Sequence, residues 1–489
     1  MAQTSSQRIR AYSKALAVNC RKPRIVIIIS AAVATVLAIF QLAAVGTLRY
    51  GYSDIYRLST FIFFISIGCG VFLIPPLFKE LYNRQFADVE FSLPMSSSER
   101  YLAKILAIVK YHILPIAASQ AVVLTAAMIL IGGRTMKGFV VYAILLLTAL
   151  VFIDAVAVFC VCCCGSLAEC IYTPVIFSAI LTLLPAAFYG NVIANTANVG
   201  TNLSTAFRSW ALFPVIVLYD ESSLFEYASF YNISAEFIIS TIVNVLIWVG
   251  VVFLTLRIYK RRDGLQTGKP FVHRPFYYAF VYLGVSAVLT STMFNEFYYG
   301  IIFSLLGFVI ISTSAQRGKL TLRSFGFQLM HYTAALFIVM GIGYAAFITQ
   351  GFGKSYDKPA KDLGEKCNVD ITITDRTSHR EFFFNFNEGD HTELVDKLID
   401  DARSRSKQSR SLSDYYDMLF YDTMAEDYYD TSIYIYCNRY NEVTGNFSGY
   451  NTTIEISQDD IKELEALIME YSPDNTDIVI DGRSIYPYI

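Results

Sequence analysis

Asp154 is the one acidic residue deep inside a long apolar stretch of this 489-residue sequence. A charge within a membrane segment is costly to bury, so such residues mark transport pathways by default or find a polar partner. We therefore treat Asp154 as a candidate residue of a transport pathway. The alternatives are pairing with a serine, with water between helices, or with Asn244, which lies in another apolar stretch and is assigned to the same candidate pathway.

Catalytic motifs are missing from the sequence. Residues 353–355 read "GKS" and resemble the end of a phosphate-binding loop, but Ile348 stands where that loop needs its first glycine. Such a loop also needs a glycine-rich turn between a strand and a helix, so that backbone N–H groups can surround phosphates. The sequence holds no H-E-x-x-H or G-x-S-x-G pattern either. We expect no catalytic residue, no cofactor and no enzymatic activity of the chain's own.

Four of the nine cysteines are interpreted as packing residues rather than as metal ligands. Consecutive residues of a helix point in different directions, so they cannot converge on one ion. Small, soft side chains pack well in apolar interiors instead. Four cysteines lie within five consecutive positions of the sequence: Cys160, Cys162, Cys163 and Cys164. We therefore expect no metal site there.

The composition divides the chain into two parts. Charged residues make up 16% of the chain, well below the ~25% of an ordinary soluble domain. Residues 351–489 hold 28 acidic and 14 basic side chains, whereas residues 1–350 hold 13 acidic and 25 basic ones. This asymmetry predicts a membrane part followed by an acidic soluble part. The basic clusters flank apolar stretches, so we expect no nucleic-acid partner.

Nine apolar stretches approach the length of about 20 residues that crosses the hydrocarbon core of a bilayer. They are residues 25–48, 58–78, 111–132, 139–164, 171–194, 237–256, 276–294, 297–315 and 328–350. With a cytoplasmic N-terminus, the inner segments hold 19 Lys and Arg residues and the outer loops before residue 350 hold five. This bias predicts a multi-pass protein of the cell membrane, with residues 25–350 as its transmembrane domain. Residues 351–489 would then lie outside the cell.

The acidic region 351–489 is predicted to be a separately folding α+β domain. Apolar and aromatic patterns indicate four strands, near residues 368–375, 381–386, 431–440 and 450–456, the last two forming a hairpin. Helices are predicted at 390–405 and 457–471, and residues 405–417 are predicted to form a loop. Cys367 and Cys437 are the only cysteines of this region and are a candidate disulfide.

Residues 80–104 interrupt the apolar pattern on the predicted inner side. Apolar residues alternate there with Arg84, Asp88 and Glu90, which indicates a short amphipathic helix on the membrane surface. Pro94 should end this helix, because proline cannot continue it and biases the preceding residue toward extended geometry.

A second helix should begin directly after this proline. Ser96 and Glu99 have the S-x-x-E spacing of a capping box, which favours a helix that leads into the third span. The two helices would form an elbow on the cytoplasmic face. A plain surface-lying helix is the alternative interpretation.

Two patterns resemble those of permease subunits of ABC-2-type transporters. The first, an acid followed by S-L-P-x-S, is Asp88 with residues 92–96, between the second and third spans. The second is similar to a Y-x-x-R-x-x-E-x-A-G stretch of a Gram-positive branch of these permeases. Tyr259, Arg262 and Gly268 match it, while Leu265 stands in place of the acid. An exterior domain after the last span is also typical of that branch.

The resemblance implies how such a subunit would work. A separate ATP-hydrolysing subunit docks on the coupling segment 80–104, and two permeases, identical or related, rearrange within the lipid to export a substrate. Phe86 and Phe91 are then the expected anchors, with Arg84, Glu90 and Arg100 around their rim. The alternative function is a non-transporting sensor whose exterior domain binds a peptide or lipid.

The N-terminal residues 1–24 are predicted to form a basic amphipathic helix on the cytoplasmic face of the membrane. Thr4 and Gln7 have the spacing of a capping box, and Ile9, Tyr12 and Leu16 share one helix face. A disordered basic tail is the alternative.

Overall fold

The structure is a computed structural model of the chain. It describes residues 4–45, 62, 65–130, 136–193, 235–262, 266–269, 271–294, 297–315, 322–349, 352, 367–375, 380–389, 412–420, 431–441, 446–455, 477–480 and 483–485. Two compact units are distinguished. The first comprises Met1–Leu183, Arg208–Gly284 and Phe308–Gln328, and the second comprises Leu184–Phe207, Val285–Gly307 and Leu329–Ile489.

Helices dominate the described residues and are numbered here in chain order. They are α1 Ser5–Asn19, α2 Arg21–Val45, α3 Gly70–Leu77, α4 Arg84–Ser92, α5 Ser97–Ile108, α6 Leu114–Leu130, α7 Met136–Cys163, α8 Leu167–Ala187, α9 Ala235–Lys260, α10 Arg274–Thr292, α11 Phe297–Ala315, α12 Leu322–Ile348 and α13 Leu412–Phe420. Three short segments join them: the 3₁₀ turn Lys79–Leu81 and the π-helices Val109–Ile113 and Phe188–Ile193.

The chain is a mainly α-helical polytopic membrane protein. Six of the described helical segments are long and apolar enough to cross a membrane: Arg21–Phe40, Ser97–Leu130, Ala143–Cys163, Leu167–Ile193, Thr241–Lys260 and Phe325–Ile348. All six overlap predicted spans. The other three predicted spans fall on the shorter apolar helices Ile65–Leu77 and Phe297–Thr313 and on α10. The count of nine therefore stays a prediction.

In the first unit, α7 is the most enclosed of the six long apolar segments described above, and 72% of its most apolar stretch is buried. It packs against α9, α3 and α6, while α2 packs along α6 and α1 lies along α5. Apolar and small side chains line α7 almost continuously, so it can contact neighbours on several sides. Its four consecutive or near-consecutive cysteines are buried free thiols: Cys160, Cys162, Cys163 and Cys164.

The second unit contains an antiparallel sheet of six strands in the order β4-β3-β1-β2-β5-β6. The strands are β1 Cys367–Asp375, β2 Arg380–Gly389, β3 Thr431–Asn441, β4 Asn446–Glu455, β5 Asp477–Ile480 and β6 Arg483–Ile485. The four predicted strands are confirmed, and β3 and β4 form the predicted hairpin. The patterns missed β5 and β6, which are short. The predicted helices 390–405 and 457–471 lie outside the described residues.

The prediction of a loop at residues 405–417 is wrong in its second half, where α13 begins at Leu412. Tyr415 and Leu419 lie four residues apart on one face of this helix and are both buried. The Tyr415 hydroxyl donates a hydrogen bond to the carbonyl oxygen of Met340 in α12, at 2.9 Å. Its ring contacts those of Tyr344 and Phe347. Burial against α12 therefore stabilises α13, although the polar residues before it favoured the prediction of a loop.

Candidate functional site

Two side-chain caps shape the predicted coupling segment. The side-chain oxygen of Asn83 accepts hydrogen bonds from the backbone N–H groups of Gln85 and Phe86, at 3.1 and 3.4 Å, and so begins α4. Ser96 and Glu99 form the predicted capping box, with bonds of 3.2 and 2.9 Å. Between the helices, Leu93 is extended (φ −65°, ψ 140°), as expected before Pro94. The predicted helix–elbow–helix is confirmed as local structure.

The exposed surface of α4 includes two aromatic side chains, which lie about 140° apart around the helix axis. Phe86 and Phe91 are each 38% exposed, and Val89 between them is 64% exposed. Cations cover part of both rings: Lys79 lies 3.5 Å from the centroid of Phe86, and the Arg100 guanidinium lies 5.1 Å from that of Phe91. Arg84 and Asp88 are exposed on the same helix, as is Pro94 beyond its end. This surface is mixed apolar and charged, as protein interfaces commonly are.

Beneath this surface lies a buried charged cluster, formed by Glu80, Glu90, Lys104, Tyr12 and Tyr259 and called here the Lys104 cluster. The ammonium nitrogen of Lys104 lies 2.5 Å from Oε1 of Glu80 and 3.0 Å from Oε1 of Glu90. Both Glu80 and Lys104 are buried. The Tyr259 hydroxyl donates to Glu80 at 3.0 Å, and the Tyr12 hydroxyl donates to Glu90. Every charge in the cluster thus has a charged or hydrogen-bonding partner, which a buried ion pair requires.

The Lys104 cluster joins five parts of the chain. Tyr12 belongs to α1, Glu80 to the 3₁₀ turn, Glu90 to α4 and Lys104 to α5, while Tyr259 lies in the last turn of α9. Burial and the hydrogen bond to Glu90 raise the pKa of the Tyr12 phenol, so it stays a donor at any physiological pH. Sequence reasoning missed Glu80 and Lys104. The sequence distinguished these two residues only as charged side chains beside apolar neighbours, close to the ends of the predicted spans.

A second contact holds α1 against α5. Glu99 accepts hydrogen bonds from Ser5 Oγ at 2.5 Å and from Arg8 Nη2 at 2.8 Å. These bonds, the Ser5 hydroxyl first, together with the Ser96 backbone N–H, lower the pKa of Glu99 to about 2. Thr4 donates its backbone N–H to the Gln7 side chain, at 3.1 Å, at the start of α1. The predicted amphipathic helix is therefore present as α1, and Leu16 on its apolar face is buried.

The three residues matched to the permease stretch contact two parts of the chain. These are the 3₁₀ turn Lys79–Leu81 and the turn between α7 and α8. Tyr259 belongs to the Lys104 cluster. Arg262, itself buried, donates from Nη2 to the carbonyl oxygens of Leu81 and Cys164, at 2.9 and 3.0 Å. Burial lowers the pKa of its guanidinium. The backbone N–H of Gly268 donates to the Gly165 carbonyl at 2.6 Å.

Gly268 has a positive φ of 85°, which favours glycine. Gly165 is equally constrained, because a Cβ atom there would lie 2.5 Å from the carbonyl oxygen of Lys269. The two chain segments meet backbone to backbone at these glycines. Tyr259, Arg262 and Gly268, which are close in sequence, thus each fix a contact between separate segments of the first unit.

Two of the predicted rim charges have other roles. Arg100 is 4% exposed, and its guanidinium donates to the Glu90 carbonyl oxygen at 3.0 Å and to Ser97 Oγ at 3.2 Å. Arg100 is therefore buried and is not an exposed residue at the rim of the two aromatic anchors. Glu90 is only half-buried, but its carboxylate belongs to the Lys104 cluster. Arg84 alone of the three lies exposed as predicted.

Asp154 is buried in α7, and its partner is His112 rather than a serine. Its Oδ1 lies 2.8 Å from His112 Nδ1. The sequence analysis missed His112, although a histidine inside an apolar span should attract the same attention as an acid. Asn244, the other candidate pathway residue, is buried in α9.

The register of the sheet bears on the candidate disulfide. Cys437 pairs with Val369, two residues along β1 from Cys367. Such diagonal residues lie about 7–8 Å apart, whereas a disulfide needs Cα atoms about 4.4–6.8 Å apart. Bonding would require the strands to shift, and the disulfide stays a prediction.

Comparisons of the chain with protein-family models, with curated proteins and with solved structures gave no match.

Proposed function

We propose that the chain is the membrane-spanning permease subunit of an ABC-2-type transporter, which exports a substrate with ATP hydrolysed by a separate subunit. The chain then needs no ATP-binding motif of its own. Its partners are that ATPase, a second permease of the same or a related sequence, and membrane lipid. The N-terminus is cytoplasmic, nine spans cross the cell membrane, and residues 351–489 form an extracytoplasmic α+β domain.

One observation carries this proposal: an exposed aromatic elbow is held from below by a buried charged cluster. Phe86 and Phe91 present ring surface that a partner protein could cover, and aromatic anchors dominate interface energies. A helix that merely lay on lipid would not need buried ion pairs to fix its orientation. The Lys104 cluster bonds α4 directly to α1 and α5, and links it to α9 through Lys104 and Glu80.

This arrangement supports a mechanical role. A push on α4 from a closing ATPase would reach α5 through Lys104, and from there α9 through Glu80 and Tyr259. The helix α5 continues through the π-helix into α6, so the same push would act on a segment long enough to span the membrane. The segment 80–104 would thus convert closure of the ATPase into rearrangement of the spans.

The test is purification of the tagged full-length chain from native membranes, followed by mass spectrometry and an ATP-hydrolysis assay. A co-purifying protein with ATP-binding-cassette sequence motifs and nucleotide turnover is expected. Phe91→Ala should weaken the association by ~2 kcal/mol, about thirtyfold. Phe40→Ala is the matched control, because Phe40 is exposed on α2, away from the elbow. If Phe91→Ala leaves both the association with the ATPase and ATP turnover unchanged, the elbow is not the docking site.

The second candidate is a non-transporting sensor, and the contact of α13 favours it. Tyr415 lies in the acidic region, yet its hydroxyl bonds to Met340 in a membrane-spanning helix. A peptide or lipid bound by that region could therefore act on α12 directly. A purified chain that lacks any ATPase partner but binds such a ligand would favour this function.

A further inference from the structure

His112 and Asp154 form an isolated polar pair inside the apolar part of the first unit. Nδ1 of His112 lies 2.8 Å from Oδ1 of Asp154, and Nε2 of His112 lies 3.0 Å from the carbonyl oxygen of Ser66. His112 is 0% exposed and Asp154 is 5% exposed. The pair joins three chain segments: the π-helix before α6, α7, and the segment leading into α3.

The hydrogen-bond partners determine how many protons the pair holds. A carbonyl oxygen can only accept, so Nε2 of His112 must carry a hydrogen to bond to Ser66. One further proton then lies between Nδ1 and Oδ1. Either the imidazole holds it, giving an ion pair, or the carboxyl group holds it, giving two neutral groups. In both cases the pair is neutral overall and has one shared proton.

Loss of this proton is incompatible with the observed geometry. It would leave the lone pair of Nδ1 facing a carboxylate oxygen at 2.8 Å, with a net negative charge in an apolar interior. The second oxygen, Oδ2 of Asp154, is buried and has no hydrogen-bond partner among the described residues that could offset this charge. Deprotonation therefore requires the two side chains to separate or water to enter.

Separating the two side chains would require the backbone that covers them to move. A Cβ atom at Gly70 would lie 2.4 Å from Cε1 of His112 and 2.8 Å from Oδ1 of Asp154. Only glycine allows the segment Ile65–Leu77 to close over the pair so tightly. His112 also lies in a π-helix, an irregular turn that often marks functional sites.

Other titratable groups near the pair are few. Among the residues that the structure describes, Asp154 is the charged side chain that acts on His112. On the same π-helix, Lys110 is exposed and lies against the Tyr111 ring. Cys69, on the segment that covers the pair, is a half-buried thiol. Arg24 of α2 lies over the ring of Tyr111. Asp154 is the only acidic residue of α7, whose one basic residue is Lys137 at its start and whose other titratable residues are Tyr142 and three cysteines.

We propose that His112 and Asp154 are a proton-binding site that releases one proton to entering water when the segment Ile65–Leu77 moves away from α7, and regains it on closure. The movement would be driven by the transport cycle, and in this respect the inference rests on the proposed function. Proton binding itself does not depend on that function. The protonation state of the His112–Asp154 pair would then depend on how the spans are arranged.

The test uses the full-length chain labelled with ¹⁵N-histidine, in lipid nanodiscs, observed by solid-state NMR across pH. The signal missing in His112→Gln is assigned to His112, and His331→Gln is the matched assignment control. We expect His112 to titrate in one step between about pH 4 and pH 10. In Asp154→Asn, which keeps the shape of the side chain but not its titration, the step should move by more than about one pH unit, tenfold in proton affinity. A His112 signal that is constant over this range, or that titrates identically in Asp154→Asn, would overturn the proposal.

A second pair of variants tests the closing segment and does not alter either titrating group. Gly70→Ala should separate the pair and shift the titration of His112 from that of the wild type. Gly68→Ala is its control, because a Cβ atom there meets no neighbour within 4 Å. If Gly70→Ala leaves the titration of the folded protein unchanged, the segment does not control the proton and the proposal fails.

A final arm separates this inference from the proposed function. Addition of nucleotide to a purified complex with the ATPase should change the fraction of protonated His112, whereas nucleotide added to the chain alone should not. Absence of any ATPase partner would remove the proposed function but leave the pH titration as the test of the site. A titrating pair that ignores nucleotide in an active complex would contradict its link to the transport cycle.

Discussion

The ammonium group of Lys104 lies 2.5 Å from the carboxylate of Glu80, although 24 residues separate them in the chain. Neither side chain is more than 2% exposed. This contact, shared with Glu90, fixes the 3₁₀ turn Lys79–Leu81 and α4 against α5.

Replacement of Lys104 by methionine should be strongly destabilising. The variant keeps the length of the side chain but leaves Glu80 and Glu90 without their shared cation. Breaking a buried ion pair from one side typically costs about 3–5 kcal/mol. Thermal unfolding in nanodiscs measures this loss, and Lys14→Met on the exposed side of α1 is the control. A variant as stable as the wild type would show that the cluster is solvated.

Glu90→Gln should matter more than the sequence alone predicts. As a hydrated rim charge, Glu90 would be replaceable at little cost. In the structure its carboxylate bonds to Lys104 and to Tyr12. The amide can still accept from Tyr12 but loses the charge, so we expect a loss of about 1–3 kcal/mol in stability. Asp88→Asn, on the exposed face of the same helix, should stay within about 0.5 kcal/mol. Equal effects of the two changes would contradict this assignment.

The attachment of α1 should weaken in acid. The folded-state pKa of Glu99 is lowered from its ordinary value of 4.5 to about 2. Stabilisation from a lowered carboxyl pKa is complete above the ordinary value and disappears as the pH falls through the folded value. The hydrogen-exchange protection factors of residues 5–19, which are corrected for the pH dependence of intrinsic exchange, should therefore fall between about pH 4.5 and pH 2. Glu99→Gln should lack this acid step, and its persistence in that variant would assign the step to another group.

Tyr415 should hold α13 against α12. Tyr415→Phe removes one hydrogen bond, to Met340, and should cost about 1 kcal/mol. Tyr415→Ala leaves a cavity where a large aromatic ring was, at about 3–5 kcal/mol. Limited proteolysis within residues 405–430 of the full chain reports the release of α13. Tyr416→Ala is the control, because that ring is 51% exposed, and equal cleavage of both alanine variants would refute the role of Tyr415.

A C-terminal fusion tests the topology. With nine spans and a cytoplasmic N-terminus, residue 489 lies outside the cell, where alkaline phosphatase is active and GFP does not fluoresce. We therefore expect an active phosphatase fusion and a dark GFP fusion. Fluorescent GFP would place the C-terminus inside and would mean an even number of spans, with the region 276–315 the first to re-examine.

Several features of this protein are determined by the sequence itself. Apolar length identified the six long helices, Pro94 and the Ser96–Glu99 box located the elbow, and alternation located β1 to β4. These features depend on residues one to four positions apart, whose backbone preferences and caps act within a single element. The isolated acid Asp154 was visible for the same reason, because its apolar neighbours surround it in the sequence.

Tertiary packing alone decided which of these elements meet. The Tyr259 hydroxyl reaches Glu80 across 179 residues, and His112 reaches Asp154 across 42. No local pattern encodes such pairs, because a buried charge accepts any partner that packing brings within hydrogen-bond distance. Arg100 illustrates the same point, since its charge predicted a hydrated rim and its packing against α4 buried it. The helix α13 exists where a loop was predicted because α12 supplies the apolar surface that covers Tyr415.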